Sequence, residues 1–336
     1  MRSVRVARGM RAAAVGLAFC LTAAGPLWAH EQATQHHESS PDDVFKVAPV
    51  AGGVHVLFGR GGNVGFLVGT DAVVVVDAQF KDLGPGIIRQ IQKVTDKPIK
   101  YLVNTHHHGD HVGGNDSFRP ISLIIAHDNV RKRMLADPQD IIREAPGRIE
   151  EARKAGNEAT VLRLTQMLDA ARSVKVEEIP APVLTFDSEF RIHLGGETIH
   201  VWHTPPAHTD GDGVVYFEKA NVVHMGDLLF NRMIPYIDAR AGGSAKGYLE
   251  ALDRVLARVP ADVKVIAGHG QLTDVAGIKA FRQYIADILE AARAAKAAGK
   301  SKEAFLSEVD LPAYKGYDGY EQRFKLNCGI AWDDLK

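Results

Sequence analysis

The chain has 336 residues, 46% of them hydrophobic and 24% charged, with 40 Lys and Arg against 41 Asp and Glu. That much apolar surface supports one large core or two ordinary ones and excludes a chain disordered throughout. The near-balanced charge, with no basic stripe anywhere, also excludes a protein that works by gripping nucleic acid.

The first segment differs from the rest. Arg2, Arg5, Arg8 and Arg11 precede an uncharged apolar run from Ala12 to Ala24, followed by Pro26-Leu27-Trp28-Ala29. A basic start, a short apolar centre and a small residue at the exit mark a cleavable secretory signal, so residues 1–29 are expected to be removed after Ala29. The run is shorter than the ~20 residues a bilayer-crossing helix needs. Phe19 rather than a small residue precedes Cys20, so no lipid anchor is expected. Export to the periplasm or the medium then leaves Cys328 as the only thiol and 36 basic against 41 acidic side chains, a net charge of about −5. Such a chain has no internal disulfide and must be stable through its core and its metals.

Residues 30–43 are polar, carry His36 and His37, and lack apolar periodicity, which reads as a disordered lead. A β pattern starts at Val54: strands are expected over Val54 to Phe58, Val64 to Val68 and Val73 to Val76, with a turn through Gly59-Arg60-Gly61-Gly62-Asn63. The four consecutive valines indicate a strand buried on both faces. The glycines lack the Lys-Ser/Thr ending of a phosphate-binding loop, so a hairpin is expected there. A helix follows from Gly86 to Val94, then a strand from Lys100 to Asn104 that runs into a histidine cluster. Ile121 to Ala126 reads as a strand and Asn129 to Leu135 as a helix. The charged stretch at about 143–176 has Val161, Leu164 and Leu168 at helical spacing, which suggests a helical insertion.

Strands resume at Val183 to Phe186, Phe190 to Leu194, Thr198 to His203, Val214 to Phe217 and Asn221 to His224. Ser244 suits the N-cap of a helix through Tyr248, Leu252 and Val255. Val263 to Ala267 is a further strand and Ile278 to Ala295 a long helix. The tail over 301–336, with Tyr314, Tyr317, Tyr320 and Trp332, is expected to pack on the core. Strands interleaved with helices in both halves specify an α/β layered core, and no linker divides the main domain, taken as 44–300.

The stretch that carries chemistry is Thr105-His106-His107-His108-Gly109-Asp110-His111. Its imidazoles offer the neutral nitrogen donors that zinc prefers, and the carboxylate adds a hard, charged ligand. Alternation along an extended backbone sends His106 and His108 to one side and His107 to the other. Crowding these groups without a metal would incur repulsion and desolvation with no return. His55, His127, His193, His200, His203 and His224 stand alone and are expected to be packing or surface residues, as is His107. No G-x-S-x-G elbow is present, and Cys328 lies in the tail without a partner, so serine or cysteine nucleophile chemistry is not supported.

The H-x-H-x-D-H pattern resembles the signature of the metallo-β-lactamase superfamily, over roughly Val54 to Ala295. Three later pieces match in order: Thr204-Pro205-Pro206-Ala207-His208-Thr209, Met225-Gly226-Asp227-Leu228-Leu229-Phe230 and Ala267-Gly268-His269-Gly270. The resemblance implies a four-layer αβ/βα sandwich of mixed sheets with helices outside. It implies a first zinc on His106, His108 and His208, a second on Asp110, His111 and His269, and Asp227 between them. Asp77 matches an aspartate that braces the histidine loop. Two zinc ions about 3.5–4 Å apart would make a shared hydroxide available near neutral pH for attack on a carbonyl or phosphoryl centre, with Asp110 orienting it or relaying its proton.

Zinc β-lactamases of the best-known subclass have a cysteine where this chain has Asp227 and a lysine where it has Phe230. Asn231 and Arg232, next in sequence, are candidate substitute contacts for a substrate, with Phe230 beside them. The strings P-P-A-H-T-D-G-D and V-V-H-M-G-D are most similar to exported cyclase-like or β-lactamase-like hydrolases. The resemblance therefore implies a hydrolase of small molecules, acting on cyclic amides or esters such as β-lactams or lactones with broad or weak specificity. Iron or manganese could occupy the same donors. A glyoxalase II-like thioesterase, an iron persulfide dioxygenase and a non-catalytic periplasmic zinc-binding protein remain alternatives.

Overall fold

The structure, a computed structural model, describes residues 42–335. The expected signal, 1–29, and nearly all of the polar lead, 30–43, lie outside the described residues. Among those described, no helix is long and apolar enough to cross a membrane.

Two mixed sheets stack face to face with helices on both outer surfaces. The first contains β1 (Lys46–Ala51), β2 (Val54–Phe58), β3 (Val64–Val68) and β4 (Val73–Val76), which run antiparallel in that order. After helix α1 (Gly84–Gln92) the chain returns as β5 (Ile99–Val103), parallel to β4. The single-turn helices α2 (Gly109–Val112) and α3 (Asn115–Phe118) then lead to β6 (Leu123–His127), also parallel. A long helical hairpin, α4 (Asp128–Lys154) and α5 (Glu158–Ser173), precedes the short edge strand β7 (Leu184–Phe186).

The second sheet begins with β8 (Glu189–Leu194), β9 (Glu197–His203), β10 (Gly213–Phe217) and β11 (Val222–His224), all antiparallel neighbours. Helix α6 (Ala245–Arg258) crosses back to β12 (Lys264–Ile266), which pairs parallel with β11. Helices α7 (Val275–Ala297), α8 (Lys302–Glu308) and α9 (Tyr320–Asp334) complete the chain.

Alternation along the strands builds the layers. On β4, Val74 and Val76 join Val54, Leu67, Val103, Val201, Val215 and Ile266 in the core between the sheets. Val73 and Val75 face the other way, onto Ile87 and Ile91 of α1 and Phe118 of α3. All four valines are fully buried, as their continuous run predicted; each such side chain stabilises the fold by about 1.5–3 kcal/mol relative to exposure. On the far side Val214, Val223 and Val265 meet Tyr248 and Leu252 of α6, Ile278, Ile285 and Ile288 of α7, and Phe324 and Cys328 of α9. The tail thus packs on the core, and burial pushes the Cys328 thiol up to about 12, leaving it inert.

Helix α9 does more than fill space. Asp334 accepts hydrogen bonds from the Ser244 hydroxyl and the Lys246 N–H at the start of α6. Asn327 donates to the Pro235 carbonyl and Arg323 to that of Ile234. Ser244 itself caps α6 by accepting the Gly247 N–H.

Two elements differ from expectation. Strand β1 is an edge strand with no fully buried residue, so it has no alternating apolar face to show in sequence. Helix α4 runs unbroken over 27 residues through Pro138 and Pro146, where the pattern suggested a short helix and a later insertion. Ile149 of α4 and Leu164 and Leu168 of α5 form a small core of the hairpin's own.

Candidate metal centre

The site forms where five strands end. Asp77 follows β4, the triple-histidine segment follows β5, His208 lies in the loop after β9, Asp227 follows β11 and His269 follows β12. The seven residues singled out as metal ligands come together there, in two adjoining groups.

In the first group, His106, His108, His208 and Asp227 each place one donor atom within 4.8 Å of the others. His208 Nε2 lies 3.2 Å from His106 Nε2, 2.9 Å from His108 Nδ1 and 3.3 Å from Asp227 Oδ2. The outer nitrogens settle the tautomers. His208 Nδ1 donates to the Tyr236 carbonyl at 2.6 Å. His108 Nε2 donates to Asp238 at 3.0 Å. His106 Nδ1 meets the Thr105 hydroxyl at 3.1 Å, and that hydroxyl gives its own proton to Asp77, so the His106 nitrogen is the donor. Each ring therefore turns a bare lone pair inward. Three lone pairs this close repel one another unless a cation lies among them, so the donor set fits a divalent ion. Burial keeps His208 and His106 neutral as a ligand must be: it holds His208 down at about 4 and His106 well below the ordinary imidazole range.

The second group is Asp110, His111 and His269. His269 Nε2 is 3.3 Å from Asp110 Oδ2 and 3.4 Å from His111 Nε2. Asp227 turns its other oxygen here, with Oδ1 3.1 Å from His111 and 3.4 Å from His269. Apart from these two imidazoles that buried oxygen has no hydrogen-bond partner. Asp227 thus offers one oxygen to each group.

Charges in the second group favour protonated rings. Burial lowers His269, but Asp227 and Asp110 outweigh it and bring it up to about 9. Burial also opposes charge on His111, while Asp227 and Asp77 raise it well above the ordinary value. A cation entering at pH 7 must expel those protons. Metal affinity is therefore expected to strengthen as pH rises towards 9 and to weaken below it, with about two protons released per fill at pH 7. Calorimetry in buffers of different ionisation enthalpy reads that number; a release near zero would refute the arrangement.

Asp77 underpins both groups. It is fully buried at φ 65°, and it accepts the Thr105 N–H at 2.8 Å, the Thr105 hydroxyl at 2.7 Å and His111 Nδ1–H at 2.7 Å. Asp77→Asn keeps the shape and loses charge and one acceptor. Its metal affinity is expected to fall about 10–100-fold, measured by competition with a chromophoric chelator; an unchanged affinity would show that Asp77 merely ends a strand.

Glycines let the backbone approach. A Cβ on Gly62 would collide with the His111 ring, and one on Gly268 with Asp227 Oδ1. The glycine turn is tied down rather than loose: Asn63 donates from its backbone to Gly268 and from its amide to Ala267 and Gly270 at 2.7–2.8 Å. Gln79 donates to the Gly62 carbonyl at 2.8 Å.

The centre is partly open to solvent. His106, His111, His208 and Asp227 are buried, whereas the side chains of His108, Asp110 and His269 are 19%, 24% and 21% exposed. Next to His108 lies a cavity of about 300 Å³ walled by α4 and α5, including Asp137, Ile141, Arg148 and Leu164, together with Tyr236 and Asp238. The helical hairpin is therefore a wall of the site. Sequence reasoning missed Tyr236 and Asp238, for which no motif exists; the only local sign is that Asp238 caps the turn at Arg240 and Ala241.

The three candidate substrate contacts sit elsewhere around the centre. Phe230 is buried and stacks on His269 with ring centroids 5.0 Å apart. Asn231 donates to the Gln271 carbonyl, and Arg232 lies over the Tyr317 ring. Of the remaining histidines, His55 stacks on Phe66, His127 on His203, His200 pairs with Glu218, His193 meets the Thr198 hydroxyl and His224 donates to the Asn63 carbonyl.

Residues 57–269, more than half of the chain, match the sequence profile of the Metallo-beta-lactamase superfamily. The chain belongs to that superfamily. As a member it is a metal-dependent hydrolase, and its His and Asp groups are where a divalent ion is implied. A probable metallo-hydrolase of Bacillus subtilis, YqgX, is 28% identical over 63% of this chain and 87% of its own length. An uncharacterised protein of Aquifex aeolicus is 33% identical over 33% of this chain, and the match spans 51% of that relative's length. Among solved structures, a metallo-beta-lactamase from Pontibacter korlensis superposes with a TM-score of 0.52 at 18% identity, over 72% of this chain and 98% of that one. The inverting sec-alkylsulfatase Pisa1 from a Pseudomonas species gives 0.62 at 15% identity, over 88% of this chain and 50% of that one. At these identities the structural likeness is one of fold: two mixed sheets between helices.

Proposed function

We propose that this superfamily member is an exported, two-zinc enzyme that hydrolyses small cyclic amides or esters, β-lactams or lactones, with broad specificity. The observation that supports it most is the division of Asp227, one oxygen to each of two adjoining donor groups. His106, His108 and His208 would hold one ion, Asp110, His111 and His269 the other. Ions so held would lower the pKa of a water towards neutrality and polarise a scissile carbonyl.

The chain's own groups do the rest. Asp110 stands at the open side, and although burial works against its charge, His269 and His111 keep it ionised. Its Oδ2, 3.3 Å from His269 Nε2, would take the proton of the attacking water and return it to the leaving nitrogen or oxygen. Phe230 stops His269 from swinging back, and the Tyr236 carbonyl and Asp238 hold His208 and His108 in the tautomers described. The cavity beside His108 receives the substrate's body, its apolar wall from Ile141 and Leu164 excluding water. The arginine-led apolar leader supports action in the periplasm or medium on a small molecule.

The test is an activity screen with parallel metal quantification on protein purified without added metal. A nitrocefin-type β-lactam, lactones, a glutathione thioester and a secondary alkyl sulfate form the panel. Ring opening with two zinc ions per chain, lost in His108→Ala, is the expected result. Preference for the thioester or the sulfate ester would move the substrate class. One iron with oxygen consumption on glutathione persulfide would replace hydrolysis, and inactivity on every substrate would leave a zinc-binding protein.

A further inference from the structure

A third donor cluster lies on the cavity side of the centre. His107, His108 and Asp238 each bring one donor atom, and the three atoms lie within 4.8 Å of one another. His107 is not among the donors grouped around His208. It is only 7% exposed, and its Nδ1 is buried without a hydrogen-bond partner. Leaving a buried nitrogen unpaired is unfavourable, and packing alone does not explain it. His108 stands between the two clusters, with Nδ1 towards His208 and Nε2 towards Asp238. The adjoining cavity is lined by Asp137, Asp140 and Glu144 and by Arg133, Arg148 and Arg240, with Glu144 paired to Arg240, so the attraction for a cation comes from the donor cluster itself.

We propose that His107, Asp238 and the Nε2 of His108 form an additional, weaker divalent-cation site, which zinc fills once the main centre is saturated. Two imidazoles and one carboxylate are a ligand set that zinc accepts, with water completing the shell. On entry the cation bonds to a His107 nitrogen, an Asp238 oxygen and His108 Nε2. Binding at Nε2 requires the proton it gives to Asp238 to leave to water, which makes His108 an imidazolate shared between the two sites; no electrons are transferred. Because His108 is shared and lines the cavity, excess zinc inhibits hydrolysis.

Equilibrium dialysis of the full chain against increasing zinc chloride, with metal content measured directly, tests the site. Wild type is expected to take up one equivalent in a weak phase after its tight phase is full. His107→Ala and His107→Gln should bind that equivalent about 10–100-fold more weakly while keeping the tight phase, with circular dichroism confirming their fold. Excess zinc should inhibit wild type, and each variant, relative to its own rate, should escape. Equal weak-phase uptake in all three proteins, or inhibition that persists in both variants, would overturn the proposal. A missing tight phase would count against the main centre instead, because the His107-dependent equivalent is read separately.

Discussion

Exhaustive chelation should abolish hydrolysis and lower the melting temperature by on the order of 10 °C, both restored by zinc. Nitrogen lone pairs from His106, His108 and His208 converge within 2.9–3.2 Å in a buried setting, where a cation offsets their repulsion. A ligand at about a thousand times its dissociation constant stabilises the native state by roughly 4 kcal/mol. For a chain of this size each kcal/mol moves the melting point by about 1.5–2 °C. No disulfide shares the task, since Cys328 is the only cysteine among the described residues. Scanning calorimetry of the loaded and stripped protein measures the difference; identical transitions would mean that metal does not bind the folded chain at this centre.

Replacing Asp227 by Asn should reduce kcat/KM about 10³-fold, equivalent to roughly 4 kcal/mol of lost transition-state stabilisation. The carboxylate serves two groups through two equivalent oxygens, and an amide has one. Its NH₂ would face either His106 and His208 or His111 and His269, where a donor opposes the cation that the lone pairs favour. The variant should retain about half of the wild-type metal. The local fold should survive, because the Asp227 carbonyl, bonded by the Tyr248 hydroxyl, is untouched. Full metal content with an undiminished rate would remove Asp227 from its bridging place.

What the sequence disclosed, and what it withheld, follows from how each feature is encoded. Strands β2, β3 and β4 match their expected limits because burial on one or both faces writes a pattern into consecutive residues. The donors were legible for another reason: imidazoles and carboxylates cluster at strand ends, where alternation fixes which of His106, His107 and His108 share a side. The length of α4 was hidden because Pro138 and Pro146 suggest breaks. In a helix lying over a cavity the lost backbone bonds are tolerated when the other turns pack, as Ile149 does against Leu164 and Leu168. The partners of the rings were hidden more deeply. Asp238 reaches His108 across 130 residues of chain and Tyr236 reaches His208 through a backbone carbonyl, and a carbonyl has no sequence signature. Phe230, Asn231 and Arg232 illustrate the converse limit: their proximity in sequence to Asp227 said nothing about which way they turn.

Helix α9 supplies no donor to the centre, yet it grips the carbonyls of Ile234 and Pro235, next to the residue that orients His208, and it clasps the first turn of α6, which presents Tyr248 to Asp227. The reacting groups therefore inherit their alignment from a remote brace. Drift in that brace during divergence would register as altered catalysis although every ligand stayed in place. A survey of relatives that compared only their histidines and aspartates would overlook the cause.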